Sequence, residues 1–183
     1  MKLFMTLIGC KPEGRHTEQH DVYFGIANEL KDLVPQLIAF WPEAKAKMHI
    51  DGWQTITSVE GYSVEVVEKG NEEATDKKLF FINLGGYKKN VFDEFHYKVL
   101  TVAVNKGEAI QQAKQTAFYR HTGFEGAPSH IDDKYGIDVD DLYEITDILT
   151  SELKEKYSII VKPSATEKSA DELHLGYFPL DKI

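Results

Sequence analysis

"KKLFFINLGGY" at Lys77–Tyr87 repeats in mid-chain the pattern of "MKLFMTLIGC" at Met1–Cys10. Aligning Lys2 with Lys78 carries Leu3 onto Leu79, Phe4 onto Phe80, Gly9 onto Gly85, Glu18 onto Glu94, His20 onto His96 and Ala27 onto Ala103 without a gap. Unrelated stretches of ordinary composition would share roughly one or two such positions. Further matches follow in order, Ala39-Phe40-Trp41 with Ala117-Phe118-Tyr119 and His49-Ile50-Asp51 with His130-Ile131-Asp132, with small insertions where loops belong. The chain therefore reads as a tandem duplication.

Working outward, each unit reads as strand, strand, helix, strand. The first strand is "KLFMTLIG" or "KLFFINLG", closed by a glycine that suits a turn. The second is "HDVYFGIA" or "HYKVLTVAV", rich in β-branched and aromatic residues. Asn105 caps a helix over "KGEAIQQAKQTAFY", with Ala109, Ala113 and Ala117 on one face. In the first unit Asn28 is the candidate cap of "ELKDLV", and Pro35 breaks or kinks a longer helix, leaving "PQLIAFW" as a short helix or a strand. "GYSVEVVE" and "DLYEITDI" read as the closing strands, while a short helix, "YSIIV" and "LHLGYFPL" follow Thr150 without a counterpart in the first unit. The expected fold is α+β with an antiparallel or mixed sheet, because adjacent strands outnumber crossover helices. The expected boundaries are 1–70 and 77–150 for the units and 151–183 for an extension, the units related by a pseudo-twofold axis and packed as one compact domain.

A chain of 183 residues with 21 Lys plus Arg against 30 Asp plus Glu carries a net charge of −9. That balance argues against phosphate-neutralising nucleic-acid binding and against docking on an anionic membrane. Cys10 is the single cysteine, so intramolecular disulfides and thiolate zinc clusters are excluded and a reducing cytoplasm fits. The start imitates a lipoprotein signal ending in Leu-Ile-Gly-Cys, yet it is short for a signal peptide, and its near-copy in mid-chain reads better as a strand.

The repeated Glu18-x-His20 and Glu94-x-His96 pairs, with His49-x-Asp51 and His130-x-Asp132, carry the candidate chemistry. Residues i and i+2 of a strand share a face, so each pair presents an imidazole beside a carboxylate, suited to a divalent metal or to a base whose tautomer is fixed by its acid partner. The competing role is structural, a His–carboxylate bond tying loop to sheet. Glu18, His20, His49 and Asp51 are the candidate catalytic set, and Arg15, His16, Trp53, His96, His130 and Asp132 the candidate ligand contacts. Arg15, between Gly14 and His16 in the first loop, has the planar fork that grips a carboxylate or phosphate. Cys10 reads as a buried thiol before a nucleophile. No metal set and no cofactor is assigned: the aspartates of "SHIDDKYGIDVDD" fail calcium-loop spacing, which would put Ile131, Tyr135 and Leu142 at ligand positions. Ser129 lacks a nucleophile elbow, and "LGGYKKN" lacks the ending of a phosphate loop.

At "LIGCKPEGRHTEQHD", "AFWPE", "HIDGW", "NLGGY", "AKQTAFYRHTGF", "SHIDDKYGIDVDD" and "LGYFPL" the chain resembles a bacterial family known as domain of unknown function 1543. Members commonly carry the domain in two copies, in keeping with the duplication. The resemblance implies a soluble bacterial protein and supplies no activity, cofactor or catalytic residue.

The expectation is a cytoplasmic, non-catalytic module that binds a small molecule or protein, with contacts between the units near the first loop and the His-x-Asp turns. Its rival is a small-molecule hydrolase or isomerase using His20 or His49 as base, Glu18 or Asp51 as orienter and Arg15 as anion clamp. A third class is a structural protein that assembles, with itself or another chain, through a sheet edge.

Overall fold

The computed structural model describes residues 1–45, 47–73, 75–87, 90–113, 115, 138–165 and 170–183. These residues form α+β structure in which every strand pairing is antiparallel. By its contacts the chain divides into two compact units, one of Met1–Glu73 with Leu149–Ile183 and one of Ala74–Ile148.

The first unit is built on the hairpin β1 (Lys2–Cys10) and β2 (Gln19–Ala27), joined by β3 (His49–Thr55) on the other side of β1. Even-numbered residues of β1 face one core: Phe4, Ile8 and Cys10 pack with Tyr23, Leu33, Leu37, Met48 and Ile50. The covering layer is a 3-10 turn at Leu30–Leu33 and α1 (Val34–Phe40). Pro35 stands in the first turn of α1, where its missing N–H costs nothing, so it starts the helix rather than breaking one. The cap of the preceding turn is Glu29 and not Asn28, with the Asp32 carboxylate accepting the Glu29 N–H at 3.1 Å.

"GYSVEVVE" is a strand, but its partners differ from those expected. β4 (Ser58–Val59) and β5 (Tyr62–Glu68) form a hairpin whose two loop residues, Glu60 and Gly61, both have positive φ, as a tight turn matched to strand twist requires. β5 then pairs along its whole length with β9 (Tyr157–Pro163). The strand that completes the first sheet is β3, and β10 (His174–Pro179) pairs with β3, giving the order β10-β3-β1-β2. Segments beyond Thr150 thus belong to the first unit, where Asp171 accepts the Thr57 N–H at 2.7 Å, the Thr57 hydroxyl at 2.5 Å and the Ser58 N–H at 3.1 Å.

In the second unit β6 (Lys78–Tyr87) lies between β7 (Glu94–Ala103) and β8 (Asp138–Glu144). Its register against β7 runs Lys78↔Ala103 to Gly85↔His96, residue for residue the offset by which Lys2↔Ala27 runs to Gly9↔His20. Phe80, Ile82 and Leu84 face α2 (Lys106–Ala113), whose Ala109 and Ala113 are fully buried and let the helix approach closely. Asn105 caps α2 through its side-chain oxygen, which accepts the Glu108 N–H at 3.0 Å. The second half of "DLYEITDI" is not strand: β8 ends at Glu144 opposite Phe80, and Ile145–Ile148 turns into the short helix α3 with Ile145 buried. Thr150 caps α4 (Ser151–Lys156), which leads into β9.

Candidate functional site

Gly9 decides the local geometry. It stands directly opposite His20 on one side and His49 on the other, so the three share the face of the sheet turned away from Ile8 and Cys10. A Cβ at position 9 would lie 2.6 Å from His49 Nε2 and 2.6 Å from Asp51 Oδ2, so only glycine leaves room for what gathers there. Asp51 reaches the site through a bulge: Leu7 pairs with Gly52 and Ile8 with Ile50, which leaves Asp51 as the extra residue of β3. His49 and Asp51 therefore lie on a bulged strand and not on a turn.

Four side chains close a ring of alternating bases and acids. His20 Nε2 is 3.1 Å from Asp51 Oδ2 and 3.8 Å from Glu18 Oε2. His49 Nε2 is 3.2 Å from Asp51 Oδ1 and 3.3 Å from Glu18 Oε1. The inner wall is buried and the outer rim open, since the His49 side chain is 8% exposed against 43% for His20 and 45% for Glu18. Tyr177, at the irregular register of β10, covers the His49 ring at a centroid distance of 4.2 Å. Asp51 Oδ2 is buried and accepts no hydrogen bond, so its close approach to His20 is proximity without an aligned N–H. Leaving such an atom unsatisfied costs about 1–3 kcal/mol. With neutral imidazoles the ring carries two negative charges, and a cation or a hydrogen-bond donor entering it would offset both deficits.

The second unit carries a related cluster. Glu94, His96 and Asp140 present ligand atoms within 4.8 Å of one another, with His96 Nε2 3.3 Å from Asp140 Oδ2 and 3.9 Å from Glu94 Oε2. Asp140 is the bulged residue of β8, since Asn83 pairs with Asp141 and Leu84 with Val139, and its carboxylate lies over Gly85. Gly85 pairs with His96 and Asp138 as Gly9 pairs with His20 and His49. By register Asp138 and Asp140 take the places of His49 and Asp51, whereas His130 and Asp132 lie outside the described residues.

Arg15 and His16 are exposed, and neither side chain joins the ring among the described residues. Trp53 is half-buried two residues beyond Asp51, its indole stacked on His174 at 3.9 Å and tilted against Phe4 at 6.2 Å. Cys10 is buried, and burial, with the nearby Glu18 charge second, pushes its thiol above the ordinary range, so its nucleophilic form is disfavoured. Sequence reasoning missed Asp140, Tyr177 and the role of the two glycines. The matched Gly9 and Gly85 were the available signal; nothing local announced Tyr177, whose place depends on long-range pairing.

Residues 15–66 match the model of the family described as Domain of Unknown Function (DUF1543), a span that holds all four ring residues. Among solved structures the fold is similar to the crystal structure of a protein Il1583 from Idiomarina loihiensis, with a TM-score of 0.66 at 19% identity over 98% of this chain and 97% of that one. No curated protein matches the sequence. Among the described residues no helix is long and apolar enough to cross a membrane.

Proposed function

We propose that the chain is a small-ligand-binding module whose ligand engages the ring of Glu18, His20, His49 and Asp51. The carrying observation is the buried Asp51 Oδ2 without a hydrogen bond, among side chains that converge from two stretches, Glu18–His20 and His49–Asp51. Buried polar atoms are nearly always partnered, and where the fold supplies no partner a water, an ion or a bound ligand does. The bare Gly9 keeps the space that such a ligand needs. A thermal-shift screen of metabolites and metal ions on wild type and His20→Ala tests this, because a ligand selective for the native state raises the midpoint. The expected result is a shift in wild type that is lost in the variant. Hits that shift both proteins equally would move the ligand elsewhere, and a screen without hits would remove the reading.

An acid–base enzyme is the second reading, favoured by His49 Nε2 standing 3.2 and 3.3 Å from two carboxylates that would orient and charge-balance it. The anion clamp assigned to Arg15 draws no support from its exposed position. We further infer that the two units descend from one duplicated motif, supported by the common offset of the β1–β2 and β6–β7 registers and by a bulged aspartate over a glycine in each. A bacterial cytoplasm is the proposed setting, in keeping with a single buried and unpaired thiol.

A further inference from the structure

Resting on the binding reading of the ring, we propose that its ligand is a divalent transition-metal ion of the zinc and nickel class, held by His20, His49, Asp51 and Glu18. Three of the four nitrogen–oxygen separations are 3.1, 3.2 and 3.3 Å. Donors placed about 2.0–2.1 Å from a common tetrahedral centre stand about 3.3 Å apart, and these pairwise separations, which run to different oxygens of Asp51 and Glu18, come within reach of that arrangement once the exposed pair turns inward. The buried, hydrogen-bond-free Asp51 Oδ2 and the nine-tenths-buried His49 supply the fixed half of the set. Glu18 and His20, both well exposed, have room to turn and close it.

Ligand chemistry selects the ion. Two imidazoles with two carboxylates suit zinc, nickel or copper(II), whereas calcium needs six to eight oxygens and magnesium keeps an oxygen shell. Two carboxylates also neutralise a dication, which an imidazole-only site would not. The second unit provides an internal contrast: Glu94, His96 and Asp140 repeat three of the four ligands, but the register position of His49 holds Asp138 and the three side chains are exposed. One imidazole and an open rim make that site the weaker of the two for a borderline ion, and its oxygen-rich set favours manganese or magnesium instead.

The test is calorimetric titration of zinc into chelator-treated full-length protein, with cobalt(II) absorption as a readout of tetrahedral nitrogen–oxygen coordination. Wild type is expected to bind one zinc tightly and give the cobalt band. Even supporting partners of metal ligands are worth 10–100-fold in affinity, so His20→Ala and Asp51→Asn should each weaken the tight site at least about tenfold and remove the band. His16→Ala and Asp140→Asn should leave it unchanged. Absence of saturable zinc binding, or tight binding unaltered by both ring variants, overturns the proposal, and loss of the tight site in Asp140→Asn overturns its assignment to the first unit. A metabolite whose thermal shift disappears in His20→Ala while zinc fails to bind would remove the metal and leave the binding module standing.

Discussion

At Gly9 a single hydrogen atom separates an open site from a filled one. Gly9→Ala would set a methyl group against His49 Nε2 and Asp51 Oδ2, so the expected outcome is a folded protein, destabilised by about 1–3 kcal/mol in urea, that has lost every ligand-induced thermal shift of the ring. Wild-type ligand response in that variant would show that the ring is not the site. Tyr23 offers a second test at this scale. It is 3% exposed, its hydroxyl donates to Gln36 Oε1 at 2.9 Å, and burial holds its ionisation up to about 12. In the unfolded chain the phenol ionises nearer 10, so the contribution is intact below pH 10 and lost as pH rises toward 12. Tyr23→Phe should cost about 0.5–1.5 kcal/mol at neutral pH and remove a component near pH 12 from the tyrosinate absorbance titration. The convergence of Glu18, His20, His49 and Asp51 was legible in the sequence from the repeated Glu-x-His and His-x-Asp pairs. Arg15 was not, because a guanidinium in a loop has no periodicity to say where it points.

At the scale of elements, two bulges aim the carboxylates. Each inserts an aspartate two residues beyond the position opposite the glycine, where an unbroken ladder would have set it opposite Leu7 or Asn83. Alternation reveals strands such as Lys2–Cys10 and Lys78–Tyr87, but a bulge inserts one residue without altering local composition, so Asp140 stayed hidden within "DVDD". Likewise Tyr62–Glu68 was readable as a strand from its β-branched residues, while its partner, Tyr157–Pro163, depended on a pairing far along the chain. The end of that pairing carries a pH test. Glu72 accepts the Ser158 hydroxyl at 2.6 Å and the Gly70 N–H at 2.8 Å, and these bonds, the Ser158 bond first, lower its ionisation from 4.5 to about 2. Between those values the native state binds fewer protons than the unfolded chain, so stability rises with pH across the window and is lost as pH falls through it. Glu72→Gln should flatten the acid limb of a melting-temperature profile over that interval; an unchanged limb would assign the acid sensitivity elsewhere.

At the scale of the molecule, the first unit is discontinuous in sequence, Met1–Glu73 together with Leu149–Ile183, and this could not be read from strand patterns alone because periodicity gives elements and not their partners. Residues 1–73 produced alone lack β9 and β10, leaving two strand edges unpaired. That fragment should be unfolded or aggregated by circular dichroism and amide NMR dispersion, whereas 1–73 joined by a short linker to 149–183 should fold. Equal behaviour of the two would mean that the later strands are dispensable. In a ribosome-bound chain, β3 emerges well before the strand that flanks it: His174 follows Trp53 by about 120 residues, or roughly 6–24 s of synthesis at 5–20 residues per second. For that interval His49 has no Tyr177 above it and Trp53 no imidazole to stack on, so a nascent or truncated product presents an unfinished pocket. Competence to bind would thus report that translation had passed residue 177.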